Sequence, residues 1–142
     1  MYQLLIAKIK ATLTATTGVE SFSTVPGSEI TSYPHVFFKP DGFGNEFSSG
    51  QENEMIFNFI MIVMVSAEGI GGSPGKAFDE TLPYVVDQII AQFNADWDQG
   101  TIDGHRVRSL VDSASAWELS EESKGLVAYA PLSLQIKMQV DV

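Results

Sequence analysis

Cysteine is absent from the chain. That removes disulfides, thiolate nucleophiles and cysteine-ligated metal centres from consideration. Positive charge is scarce: eight Lys and Arg stand against eighteen Asp and Glu, a formal charge of −10. Nucleic-acid binding needs a basic surface that displaces counterions from phosphates, so this balance argues against it, and against anionic membranes as well. Two readings of the acidity stay open: ordinary solubility, and a surface that repels DNA. Long apolar runs are also missing. The most apolar stretch, Met55 to Val65, is shorter than the ~20 residues a bilayer requires and is interrupted by Asn58. The opening residues MYQLLIAKIKATL have no basic start, and Lys8 and Lys10 break their apolar run. No signal peptide is therefore expected, and an intracellular setting is the default.

Hydrophobic residues make up 44% of the 142 positions and charged residues 18%. This predicts a folded chain with a sizeable core, organised as one domain over 1–142. Tyr2, Leu5, Ile6, Ile9 and Leu13 share one face at helical spacing, which predicts a helix over 1–16 with Gly18 as terminator. Residues 18–32 read as an irregular connection. Tyr33 to Lys39 reads as a strand whose start is kept outside the ladder by Pro34. Pro40-Asp41-Gly42 breaks it, and a glycine-rich loop to Gly50 carries Phe43 and Phe47.

Gln51 to Ser66 reads as a long strand, apolar on both faces and so expected to be buried on both. A glycine-rich loop follows. A second helix then presents Phe78, Leu82, Val85, Val86, Ile89, Ile90 and Phe93. Pro83 places its regular start near Thr81, with a looser turn before it. Asp103-Gly104 signals a tight turn, His105 to Trp117 a strand, and Ser120 to Gly125 a charged turn. Leu132 to Val142 alternates apolar and polar residues and reads as a strand with one wet face. The expected fold is α+β: a mostly antiparallel sheet of about four main strands with two helices packed on one face.

Catalytic and ligand-binding motifs fall short. Gly69 to Lys76 follows a strand and precedes a helix, as a phosphate-binding loop does. Yet Ile70 stands where its first glycine belongs, Ala77 stands where its hydroxyl belongs, and Pro74 has no N–H to offer. His35 and His105 are far apart and lack metal-binding spacing. Asn94, Asp96 and Asp98 alternate as calcium ligands do, but Gln99 and His105 occupy the positions of the required glycine and glutamate. Glu52/Glu54 and Glu121/Glu122 read as solvated charge. Fourteen serines and two histidines make accidental Ser–His pairings easy to draw, and there is no GxSxG elbow. Trp97 and Trp117 read as packing or interface residues. No catalytic, metal or cofactor residue is expected.

The whole-chain order now carries a resemblance. It runs from an amphipathic helix to the segment Ser32-Tyr33-Pro34-His35-Val36-Phe37 and a glycine- and Phe-rich loop. Next come the long strand Glu54 to Val63, a helix over Leu82 to Ile90, a hairpin at Ile102-Asp103-Gly104 and a terminal alternating strand. This layout resembles the tail terminator and tail-completion proteins of long-tailed phages and prophages, the minor tail protein U-like family. The resemblance implies a non-enzymatic structural subunit. Such subunits form a ring, typically of six, that caps the tail tube and presents a surface to the head connector. Its implied partners are further copies of itself, the tail tube protein, the head–tail connector, and DNA passing through the lumen without specific binding. No membrane is involved. It implies assembly in the host cytoplasm and residence in the virion tail. Phe43 and Phe47 are the candidate subunit-interface residues. Two alternatives stand beside this: a head–tail joining (neck) protein of similar fold, and a small-molecule or nucleotide-binding α+β domain.

Overall fold

The computed structural model describes residues 2–24, 30, 32–49, 52–67, 74–97, 100–102, 104–122 and 125–141. Helix α1 spans Tyr2–Ala15. Its buried face is Leu5, Ile9, Thr12 and Leu13, with Tyr2 and Ile6 packed at the margin of the core. The second half of α1 is rich in threonine, a weak helix former. Thr12, Thr14 and Thr16 each donate their hydroxyl to the carbonyl four residues back, which satisfies those hydroxyls inside the helix. Gly18, at φ 95°, then turns the chain. The segment expected to be irregular contains a short strand, β1 (Ser21–Ser23), paired in parallel with the start of β2.

Strand β2 covers His35–Ser49, well past the break expected at Pro40-Asp41-Gly42. The ladder with β3 (Glu52–Ser66) absorbs that tripeptide as a bulge. Pairing shifts by one residue between Pro40↔Phe59 and Phe43↔Phe57. β1 has already ended opposite Phe37, so Pro40 sits on an edge, where a missing N–H is tolerated. Phe43 and Phe47 are therefore in β2, opposite Phe57 and Asn53, and not in a loop.

Beyond β3, Pro74–Lys76 forms a helical turn, α2, and Ala77–Thr81 winds as a π-helical turn. The N–H of Leu82 donates to the Ala77 carbonyl, five residues back. Pro83 cannot supply the α-helical bond to residue 79, so the looser turn expected before it is present. Helix α3 (Leu82–Trp97) buries Leu82, Val85, Val86, Ile89, Phe93 and Trp97. Strands β4 (Gly100–Ile102) and β5 (His105–Ser113) form a hairpin whose turn includes Gly104 at φ 78°.

The last strand, β7 (Gly125–Asp141), pairs with β3 without a single register shift, from Glu52↔Asp141 to Ser66↔Val127. Its other edge is lined first by β6 (Glu118–Glu122) and then by β5. The expected strand to Trp117 thus stops at Ser113, and the expected charged turn from Ser120 is partly β6. Pro131 explains the break. Its carbonyl accepts from the Ala114 N–H, so its own nitrogen points to the same side, where it has no hydrogen to give. The β5/β6 ladder is interrupted there by residues 114–117, with two extra residues between Ser113↔Leu132 and Glu118↔Tyr129.

The sheet order is β1-β2-β3-β7-β5-β4, with β6 beside β7. The four strands expected from the sequence are its centre, β2-β3-β7-β5. β1, β4 and β6 extend it to seven strands. Both helices pack on one face. Phe57, Phe59, Met61, Val63 and Val65 of β3 meet Ala128, Ala130, Leu132, Leu134, Ile136 and Met138 of β7 there. Tyr2 of α1 stands edge-on to Phe57 and Phe59, at ring distances of 5.0 and 5.8 Å. The opposite face of β3 (Ile56, Asn58, Ile60, Ile62, Met64) is half-exposed. The expectation that β3 is buried on both faces is therefore not met by one copy of the chain.

Candidate assembly surfaces

Charged residues stand on the exposed surfaces of both layers. On β5, inward Val107 alternates with outward Arg106, Arg108, Leu110 and Asp112, all four exposed. Register places Lys137 of β7 beside Arg108, and Lys39 of β2 in the cross-strand row of Ile60, Ser133 and Asp112. Four of the chain's eight basic residues thus lie on the outer sheet face. Among its described side chains, the acids in register there are Asp112 and Glu118, and Glu118 accepts a 2.6 Å hydrogen bond from the Tyr129 hydroxyl. The same register sets the positions of Glu46, Glu52, Glu54, Glu122 and Asp141 on this face, so residues of both signs share it.

The π-helical turn and α3 carry acids alone. From Ala77 to Trp97 there are four acids, Asp79, Glu80, Asp87 and Asp96, and no Lys or Arg. Glu80, Tyr84, Asp87, Ala91 and Asn94 recur at spacings of three and four and form one exposed stripe. Each surface carries a large exposed hydrophobic residue: Leu110, 55% exposed, on the sheet face and Tyr84, 49% exposed, on α3. The alternation of Arg106, Arg108 and Leu110 with Val107 and Val111 was visible in the sequence. What it lacked was the register that sets Lys137 beside them.

A second surface is the β2–β3 hairpin with the end of β7. Fifteen paired residues of β3 extend roughly 50 Å. Helices of 14 and 16 residues extend about 21 and 24 Å, so neither covers the ladder end to end. On its described backbone Phe43 lies opposite Phe57 and Phe47 lies opposite Asn53, past Met55, and both side chains lie outside the described residues.

Among the described residues His35, only 3% exposed, is the one buried titratable group. Its ring bonds to Ser21 Oγ through Nδ1 at 2.6 Å and to Ser23 Oγ through Nε2 at 2.9 Å. The hydroxyl of Ser21 donates its only hydrogen to the Ser32 carbonyl, so Nδ1–H of His35 must donate to Ser21. Nε2 of the neutral ring then accepts from Ser23. Burial lowers the imidazole pKa below its ordinary value. With no carboxylate hydrogen-bonded to the ring, the cluster ties β1 to β2 and lacks the acid of a Ser–His–Asp triad.

Other candidate sites do not converge. His105 begins β5, at the far side of the sheet from His35. Among the described residues no group of three or more His, Asp or Glu could hold a metal ion. Asp96 accepts from Gln92 at 3.0 Å along α3. The glycine-rich loop before Lys76 lies outside the described residues at 68–73. An open cleft of 420 Å³ between α3 and β5 is lined by Phe93, Asn94, Arg108 and Ser109, and its described lining does not include Lys76. Among the described residues no helix is long and apolar enough to cross a membrane.

The geometry defines an α+β fold of two layers, a long, mainly antiparallel sheet beneath two helices. A chain in the virion of a native gene transfer agent particle has a similar fold. The two superpose with a TM-score of 0.54 at 15% sequence identity, over 98% of this chain and 97% of that one. No protein-family model matches the sequence, and no curated protein matches it.

Proposed function

We propose that this chain is a structural virion subunit of the tail-terminator type, which assembles in the host cytoplasm into a ring of six copies capping the tail tube and joining it to the head connector. The observation that carries this reading is the end-to-end fold likeness to a virion chain, with almost nothing left over on either side. The partly exposed apolar face of β3 and the ladder that outruns both helices supply contact area for neighbours. Phe43 and Phe47 belong to those contacts. A closed ring multiplies the net charge of −10, and an acidic lumen lets DNA slide through without adhering.

Labelling the subunit in assembled particles and in tails made without heads tests this directly. Label at the head-proximal end of headless tails is expected. Label found only on head-side collars reassigns the chain to the neck, and label absent from particles refutes a virion role. Negative-stain images of the pure protein add the ring itself. A lumen that proves basic or apolar in an experimental ring structure removes the DNA-sliding part of the reading.

A further inference from the structure

We infer that copies of this chain join edge to edge: the free edge of β5 in one copy pairs antiparallel with the free edge of β2 in the next, and one sheet runs on through neighbours. This contact rests on the ring reading and names the strands that make it. β4 covers β5 only over 105–107, and β1 covers β2 only over 35–37. Past those points no described strand lies beside either edge. A bare edge presents unpaired N–H and C=O groups, and proteins guard such edges with proline, bulges or short strands. β2 is guarded in that way at Pro40 and the bulge that follows it. Residues 108–113 of β5 and 43–47 of β2 are not. Neither run holds a proline, and each pairs with its inner neighbour without a register shift.

One hydrogen bond fixes which groups face each edge. The Ala114 N–H donates to the Pro131 carbonyl, between β5 and β7. Main-chain groups alternate in direction along a strand, so those of Arg108, Leu110 and Asp112 point to β7 and those of Ser109, Val111 and Ser113 point to the free edge. Carried through the register of β7 and β3, the same alternation turns the main chain of Phe43, Asn45 and Phe47 to the free edge of β2. It also turns the Pro34 carbonyl toward β1, where it accepts from Glu20 and Ser21. The two edges therefore match: Phe43 with Ser113, Asn45 with Val111 and Phe47 with Ser109, each pair exchanging two hydrogen bonds. A shift by two residues either way loses a pair. Val107, next in the series, is already taken by Gly100 of β4. The open cleft between α3 and β5 borders this edge at Arg108 and Ser109 and leaves room for a strand there.

The occupant is a second copy. Within one copy β3 and β7 stand between the two edges, so they do not meet. Strands β2, β3, β7 and β5 alternate in direction, and rotation about an axis along the strands therefore sets β5 of one copy antiparallel to β2 of the next. Pairing β5 with β5, or β2 with β2, leaves the other edge of each copy bare. The β2–β5 contact satisfies both edges at once, and it is heterologous, the kind of contact that closes into rings.

Cysteine cross-linking tests the contact in the full chain, which has no cysteine of its own. The pairing sets Glu46 opposite Leu110 as a non-hydrogen-bonded pair, with Cα atoms about 4.5 Å apart, inside the disulfide range. Glu46→Cys with Leu110→Cys is expected to give a ladder of covalent multimers under mild oxidation, read on non-reducing gels. The two single variants mixed one to one are expected to stop at the dimer. Glu46→Cys with Asp112→Cys, a diagonal pair about 7–8 Å apart, is expected to cross-link at least tenfold more slowly. A folded Ser109→Pro variant loses one edge-directed N–H and no bond to β7, and is expected to weaken self-association in sedimentation by about tenfold or more.

Circular dichroism melts show whether each variant stays folded. If the double-cysteine variant unfolds, Gly44→Cys with Asp112→Cys samples the neighbouring rung, and the same ladder is expected. A disulfide dimer formed by either single variant alone shows a two-fold contact and overturns the head-to-tail pairing. Rings seen in negative stain without the covalent ladder overturn the assigned edges and leave the ring reading standing. Chain that neither associates nor cross-links at any concentration overturns the self-contact, while the labelling of tails decides the ring on a tail independently.

Discussion

Trp97 is fully buried, and its indole Nε1–H donates to Thr12 Oγ1 at 3.0 Å, tying the end of α3 to α1. The same Thr12 hydroxyl donates to the Lys8 carbonyl at 2.9 Å, so its hydrogen is committed and its lone pair serves the indole. Thr12→Val keeps the shape and deletes that acceptor. An indole N–H left buried without a partner costs about 1–3 kcal/mol. At ~2.1 cal/mol/K per residue of unfolding entropy over 142 residues, a loss of about 2 kcal/mol lowers Tm by about 7 °C. The loss of the bond to Lys8 contributes as well, but it is common to any background. Trp97→Phe removes the donor, so in that background Thr12→Val should cost only the Lys8 part. A double-mutant cycle by urea titration, followed by far-UV circular dichroism, should therefore return a coupling of about 1–2 kcal/mol. Equal costs of Thr12→Val in both backgrounds would show that the bond does not hold α1 to α3.

Gly18→Ala should destabilise more than Gly104→Ala. Both positions have positive φ, but an added Cβ at Gly18 meets Tyr84 Cε1 at 3.3 Å, while Gly104 has open space; thermal melts rank the two, with ~1 kcal/mol expected for the backbone penalty alone. His35 is neutral in the fold, with its pKa lowered by burial, so the unfolded chain binds the proton more readily. Stability is then complete above imidazole's ordinary value near 6.5 and falls as pH drops from there toward the depressed folded value. His35→Gln should flatten that segment of a Tm-versus-pH curve, and an unchanged slope counts against the cluster. Phe59→Ala, beneath Tyr2 and Phe38, should cost about 3–5 kcal/mol in the same denaturation assay. Replacing Phe43 and Phe47 together with serine should weaken ring assembly while leaving the melting temperature of the isolated chain nearly unchanged.

Local periodicity made much of the fold legible. Leu5, Ile9 and Leu13, and then Leu82, Val86, Ile89 and Phe93, announce their helices because one turn decides which face is apolar. The four central strands were legible for the same reason at a period of two. What escaped depends on partners distant in the chain. Pro40-Asp41-Gly42 looks like a terminator in isolation and becomes a bulge because β3 continues opposite it. The division of β5 from β6 originates in Pro131, on another strand. β1 exists because His35 offers both ring nitrogens to Ser21 and Ser23, which no pattern of hydropathy encodes. β3 is apolar on both sides, yet one copy supplies cover for only one of them. At the candidate surfaces the charges of β5 and α3 were readable one by one, whereas the register that sets Lys137 beside Arg108 joins strands distant in the chain.

The unshifted β3–β7 ladder has a mechanical consequence. Antiparallel hydrogen bonds lie across the strands, so a pull along the strand axis loads the whole row from Glu52 to Ser66 in shear at once. A pull across the strands instead opens the pairs one after another from an end. The subunit is thus stiff along one axis and yielding across it. An assembly that holds these strands parallel to the direction of load resists tension with every rung of the ladder together.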